Sequence, residues 1–275
     1  MMKPTLNILV FGEILFDVFE QDARLGGAPL NLAVHLHRLG AETTLISAVG
    51  QDRPGDDAIR KIADEGIDTG RIARVSHPTG RVNVTLDKAK IPSYCFLPEC
   101  AWDFIPVPSD IPVTPDLFCF GTLAQRGEVS RGTLRTLLAG LECKKFCDVN
   151  LRQNFYSKSI LEESLAVSDL AKLNDEELEI IARLFNIEPH PEALAERFRL
   201  DTVILTLGPR GCEVWNAGNT IYAPACPAHV VSTVGAGDAF SAGFLFHFLS
   251  GSGLKAAAEE GNRLAAQVAA LPGAF

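Results

Sequence analysis

The sequence predicts an α/β fold: a mostly parallel sheet with helices on both faces and a small β-sheet lid, in a single domain spanning residues 1–275. Three observations carry this expectation. Short apolar runs alternate with helix-period patterns along most of the chain, as a parallel sheet with crossover helices demands. Two stretches, about 12–25 and 71–98, instead alternate apolar and polar residues, the period of strands with one wet face. Apolar residues make up 47% of the chain, enough for a sizeable core, and α/β folds of this length often form one unit.

The elements follow in order. "LNILVFG" reads as a buried strand ended by Gly12. "ILFDVFEQDARLGG" suggests a short, half-exposed strand pair. From Pro29 to Leu39, residues Leu30, Ala33, Val34, Leu36 and Leu39 fit one helix face, and Gly40 stands where a C-cap belongs. "ETTLISAVG" is a strand and "RPGDDAIRKIADEG" a helix. "RIARVS", "TGRVNVTLD" and "SYCFLP" carry the period-two pattern. Prolines 98, 106, 108, 112 and 115 then mark a connector. Beyond it, "DLFCFG", "KKFCDVN" and "DTVILTLG" are strands among the helices "VSRGTLRTLLAGLE", "SILEESLAVS", "NDEELEIIARLF" and "PEALAERFR". "LAKL" is a short apolar run between two of them. "GCEVWNAGNTIYAP" reads as a hairpin turning near Asn216–Asn219, and two helices close the chain.

The net charge of −9 argues against a broad nucleic-acid surface, though not against an anionic ligand held by backbone dipoles. The seven cysteines form no C-x-x-C pair and mostly lie among apolar neighbours, so they read as reduced core residues. No window reaches the roughly 18 consecutive apolar residues of a membrane span, and the N-terminal apolar run is broken early by Gly12 and Glu13. The expectation is a soluble, cytoplasmic protein.

The stretch with the most chemistry is "STVGAGDAFSAGFLFHFLSG", Ser232–Gly251. Its glycines let successive backbone N–H groups turn toward a ligand. The helix that starts there leaves N–H donors unpaired and adds roughly half a positive charge, a combination that suits phosphate. Asp238 beside this end has two readings. It could simply cap the helix. Alternatively it could take a proton from a hydroxyl, the resulting alkoxide attacking a phosphoryl group whose charge the amides stabilise. A dinucleotide fingerprint fits poorly, because Phe240 stands where a third small residue is needed, and no Gly-Lys-Ser/Thr makes a Walker loop.

"STVGAGDAFSAGF" resembles the C-terminal signature of the ribokinase-like (PfkB) carbohydrate kinases, and "GGAPLNLAVHLHRLGAETTLISAVGQDRPGD" their N-terminal signature. "GGAP-N-A", with "GTLAQR", "DVNLR" and "AWD", is most similar to the fructokinase branch. The resemblance implies ATP-dependent phosphorylation of a primary sugar hydroxyl, with fructose to fructose 6-phosphate as the leading expectation. It makes Asp238 the general base in a cradle of Gly235, Ala236 and Gly237. Sugar contacts map onto Asp17, Gly27, Asn31 and Arg152, with Phe96 and Phe104 against the sugar's apolar face.

Nucleotide contacts map onto Asn174, Thr206, Gly208, Gly235, Gly237 and Asn262. Asn174 and Glu177 would hold waters around Mg²⁺, which keeps several of its own waters. Several have a plainer structural reading: Asn31 as a helix-start residue, Asp17 as a solvated strand position, Arg152 in a surface ion pair with Asp148 or a helix acid, Asn174 as an N-cap, Asn262 as a polar residue on a wet helix face. The family usually has aspartate where Ser232 stands, in a region whose main-chain oxygens often hold a monovalent cation, so a K⁺ requirement stays open. Ribose, nucleoside or keto-deoxy acid kinases, and a sugar-binding regulator without turnover, remain alternatives. A homodimer through the lid and a monomer are both compatible with the sequence.

Overall fold

The structure, a computed structural model, describes residues 5–18, 22–86, 92–111 and 114–275, and for 84–86 and 92–94 the backbone alone. Parts of both expected lid segments, 19–21 and 87–91, and Pro112 lie outside the described residues. The main sheet has nine strands in the order β13-β12-β11-β10-β9-β8-β1-β4-β5. Its parallel part comprises β1 (Asn7–Phe11), β4 (Glu42–Gly50), β5 (Ile72–Val75), β8 (Leu117–Gly121), β9 (Lys144–Asp148), β10 (Leu170–Asn174) and β11 (Thr202–Thr206). The hairpin β12 (Cys212–Asn216) and β13 (Asn219–Ala223) extends it antiparallel, with Asn216 opposite Asn219 as its turn chemistry predicts.

Period two sorts the core. In β1, Ile8 and Val10 face a cluster that includes side chains of α1 (Ala28–Arg38), α2 (Arg53–Asp64), α7 (Ala236–Leu249) and α8 (Leu254–Ala269). Leu9 and Phe11 face the cluster formed with α3 (Glu128–Gly140), α4 (Lys158–Ala166), α5 (Asp175–Phe185) and α6 (Pro191–Phe198). Helices therefore cover both faces, as the alternation predicts. Phe11, Phe118 and Phe146 are fully buried in these layers, and each such burial is worth about 1.5–3 kcal/mol. "LAKL" with Asn174 becomes β10, because so short a run needs only neighbours on both edges to be a strand, and β9 and β11 supply them.

A separate four-stranded sheet has the order β3-β2-β6-β7. Its strands are β2 (Leu15–Val18), β3 (Ala23–Gly26), β6 (Gly80–Leu86) and β7 (Pro92–Phe96). This narrows the lid expected over 71–98. Ile72–Val75 pairs with β4 and belongs to the main sheet. A strand at a sheet edge shows the same half-wet alternation as a lid strand, and only pairing tells them apart. The return from lid to core is tied down by Arg126. Its guanidinium donates to both Asp103 carboxylate oxygens at 2.8 Å and to the Leu97 carbonyl at 2.6 Å, and its centre lies 3.8 Å from the Trp102 ring. Among the described residues no helix is long and apolar enough to cross a membrane.

Candidate active site

The C-terminal ends of the parallel strands gather the polar groups, which is where α/β sheets bind ligands. α7 begins there. Gly235 takes the left-handed backbone (φ 78°) that turns the chain into the helix, and a Cβ on it would lie 2.5 Å from that of Ala274. Among the described residues no side chain caps this end and none accepts from the Gly237 or Asp238 amide, but the Ala236 amide of the expected cradle donates to the Thr233 carbonyl at 3.3 Å. Gly237 is exposed, and Gly235, Ala236 and Asp238 are partly so. The Gly237 and Asp238 amides are therefore open to a ligand.

Asp238 does not cap its own helix. It lies in the first turn, and its Oδ2 accepts a hydrogen bond from Asn31 Nδ2 at 2.7 Å. Burial among protein groups pushes its carboxyl up from 3.8 to about 6, against the pull of Lys172 and with a further push from Asp148. A carboxyl tuned to that range is charged at neutral pH and is a stronger base than a free aspartate.

Asn31 lies within α1 rather than at its start, and is buried. Among the described residues its Oδ1 has no partner, an orphan acceptor that a ligand hydroxyl would satisfy. A Cβ on Gly26 would lie 3.8 Å from that oxygen and 3.6 Å from Asp17 Oδ2, so two acceptors converge on one spot between lid and core. Asp17 is half-buried, and its carboxyl is raised by burial and opposed by Arg152 and Arg24. Gly27 precedes α1 at φ 117°, with its Cα so close to the Glu13 carbonyl that a Cβ would come within 2.4 Å of the oxygen. Arg152 is exposed, and its charge acts on Glu13, Asp17 and Asp238 together. It does not pair with Asp148, which is taken by Lys172 at 3.0 Å.

The two aromatic candidates separate. Phe96 packs with Leu15 and Val82, and Val82 is in register with both Asp17 and Phe96, which places Phe96 on the Asp17 face of the lid. Phe104 instead stacks on His77 with ring centroids 3.5 Å apart, beyond the lid's return to the core.

Asn174 and Thr206 are register neighbours at the ends of β10 and β11, and Gly208 (φ 57°) is exposed just past them. Asn174 and Glu177 form a reciprocal cap: Asn174 Oδ1 accepts from Glu177 N at 2.8 Å, and Glu177 Oε2 from Asn174 N at 2.9 Å. Glu177 Oε1 also accepts from Leu151 N at 2.7 Å. Both carboxyl oxygens already accept from amides and the residue is buried, so Glu177 is not arranged as a direct metal ligand. Its spare lone pairs fit a cation held through water, the arrangement Mg²⁺ favours. Asn262 is buried, and its Nδ2 donates to the Ala223 and Pro224 carbonyls at 3.1 and 3.0 Å. Its amide joins α8 to the exit of β13 and is not on a wet helix face.

Three charged groups at the site escape sequence reasoning. Glu13 is 3% exposed and its carboxyl is pushed by burial to about 7. Lys172 and Asp148 form a buried pair. The available signals were a carboxylate at or just past a strand end, in "FGE" and "CDVN", and a lysine inside "LAKL".

An uncharacterised sugar kinase from Pyrococcus horikoshii shares this fold at a TM-score of 0.86 and 27% identity, over 98% of this chain and 93% of that one. A fructokinase double mutant from Vibrio cholerae, in fructose-, ADP- and potassium-bound form, superposes at a TM-score of 0.86 with 23% identity, over 100% of this chain and 95% of that one. In sequence, a fructokinase of Klebsiella pneumoniae is 31% identical over 262 residues, 87% of this chain and 83% of its own. Residues 4–274 match the pfkB family carbohydrate kinases, and the chain belongs to that family as a sugar kinase.

Proposed function

We propose that the protein transfers the γ-phosphoryl group of ATP to a primary hydroxyl of fructose, giving fructose 6-phosphate. The observation that carries this reading is the pairing of a raised carboxyl, Asp238, with an uncapped and solvent-open turn of amides. Asp238 takes the hydroxyl proton, and the alkoxide oxygen forms its bond to the γ-phosphorus. The bond from that phosphorus to the β-phosphate oxygen breaks, ADP carries the released charge, and the proton passes from Asp238 to solvent. The Gly237 and Asp238 amides would meet the charge that builds on the phosphoryl oxygens, and such positioning is most of what phosphoryl transfer asks of a protein.

Asp17 and the orphan Asn31 oxygen are two acceptors for sugar hydroxyls, with Arg152 as a donor beside them. Phe96 gives the same lid face an apolar ring. Asn174 and Glu177 would hold Mg²⁺ through water, and the ion when bound neutralises phosphate charge. Thr206 and Gly208 lie alongside Asn174 for the nucleotide. Asn262 would act on it only indirectly, through the chain it holds.

Coupled ADP detection with fructose, ribose, nucleosides and a keto-deoxy sugar acid tests the assignment. Fructose is expected to give the highest kcat/KM. Preference for another acceptor would move the substrate within the family, and sugar binding without ADP release would point to a regulator.

A further inference from the structure

We propose that Lys172, pinned by Asp148 beneath the first turn of α7, is a positioning residue whose charge keeps Asp238 in the ionised form that accepts the substrate's proton. This rests on the reading of Asp238 as the base. Lys172 lies in β10 between apolar neighbours and is 8% exposed. Its Nζ donates to Asp148 Oδ1 at 3.2 Å and Oδ2 at 3.0 Å. A lysine this buried stays charged only beside carboxylates, and Asp148, Asp238 and Glu177 all favour its ammonium form.

An ammonium has three donors, and its approach to α7 is permitted by Gly237. A Cβ on Gly237 would lie 3.2 Å from Nζ, so the missing side chain lets the charge approach the helix one residue from Asp238. Ser241 reinforces the arrangement, its Oγ lying 3.4 Å from Asp148 Oδ2 and 3.1 Å from the Gly237 carbonyl. Strands β9 and β10 and helix α7 are thus joined through one charge pair, at the turn that would cradle phosphate.

The groups facing Asp238 come from every element around it. Lys172 projects from β10, Asp148 from the end of β9, and Arg152 from the loop that follows. Glu13 follows β1, and the Asn31 amide comes from α1. Glu177 of α5 acts in turn on Lys172. Burial and Asp148 favour the protonated carboxyl. Lys172 is the strongest influence in the other direction, ahead of the Asn31 hydrogen bond and Arg152. Arg152 is exposed and screened by water, whereas Lys172 acts through the protein interior, where a charge carries further. Without Lys172, Asp238 would hold its proton to higher pH and would be less often free to take another.

The test is the pair Lys172→Gln and Asp148→Asn. It is read by ¹³C titration of the Asp238 carboxyl in the resting protein and by the pH profile of kcat/KM. Lys172→Gln is expected to raise the Asp238 midpoint and the acid limb of the profile by about one unit or more, the usual effect of one close opposite charge. Activity should recover at higher pH. Asp148→Asn is expected to lower both. A folded Lys172→Gln protein whose Asp238 midpoint stays in place, with a loss of activity that pH does not restore, overturns the proposal and leaves Lys172 a structural role. If Lys172→Gln does not fold, Asp148→Asn decides alone, and an unmoved midpoint there overturns it. A midpoint that moves while the turnover profile does not would uphold the coupling and remove Asp238 from the base role, so the two readings fail separately.

Discussion

Replacing Asp238 with asparagine should make the protein much slower and, above neutral pH, more stable. Asparagine keeps an oxygen that can accept from Asn31 Nδ2, so the 2.7 Å contact need not be lost. What it loses is the ability to take a proton, and kcat is expected to fall roughly 10²–10⁴-fold, the usual worth of a positioned base. The stability effect follows from the carboxyl's rise from 3.8 to about 6 on folding. The folded state binds that proton more tightly than the unfolded chain does. The group therefore costs nothing well below pH 4, and its penalty grows as pH rises through about 6. The full shift corresponds to about 3 kcal/mol, and partial exposure to water reduces it to about 1–3 kcal/mol. Urea unfolding of both proteins near pH 4 and near pH 8, alongside the coupled kinase assay, measures both effects. An equal stability difference at the two pH values would mean that the Asp238 carboxyl is not raised, and near-wild-type turnover would end its role as base.

Glu13→Gln should act in the same direction at a more deeply buried position. The Glu13 carboxyl rises from 4.5 to about 7, so the variant's advantage should appear across that window and reach up to about 3 kcal/mol in alkaline urea melts. Arg126→Ala strips the partner from Asp103 in a pair whose side chains are only 9% and 7% exposed, and should cost about 3–5 kcal/mol in denaturant unfolding. Asn262→Ala removes the donor that the Ala223 and Pro224 carbonyls share, and should cost about 1–3 kcal/mol while leaving the KM for ATP close to wild type. A raised KM with an unchanged melting temperature would instead put Asn262 on the nucleotide.

The layered fold is legible in the sequence because burial repeats with the period of each element. Ile8 and Val10 go to one face of the sheet and Leu9 and Phe11 to the other with no further information required. The left-handed turn at Gly235 and the open amides after it are equally local, since a glycine and a helix start suffice to specify them. Ile72–Val75 was harder, because a half-wet strand carries no mark of which sheet it joins.

By itself, the sequence determined the layers, the phosphate-suited turn and the carboxylate beside it, since each depends on residues close together in the chain. Tertiary structure alone decided that Asp238 binds Asn31, 207 positions away, and that Lys172 belongs to Asp148 while Arg152 stays exposed at the mouth of the site. It also turned the Asn262 amide inward. The reason is that charge pairing and desolvation depend on distance through space, which the order of residues does not encode until the strands have found their neighbours.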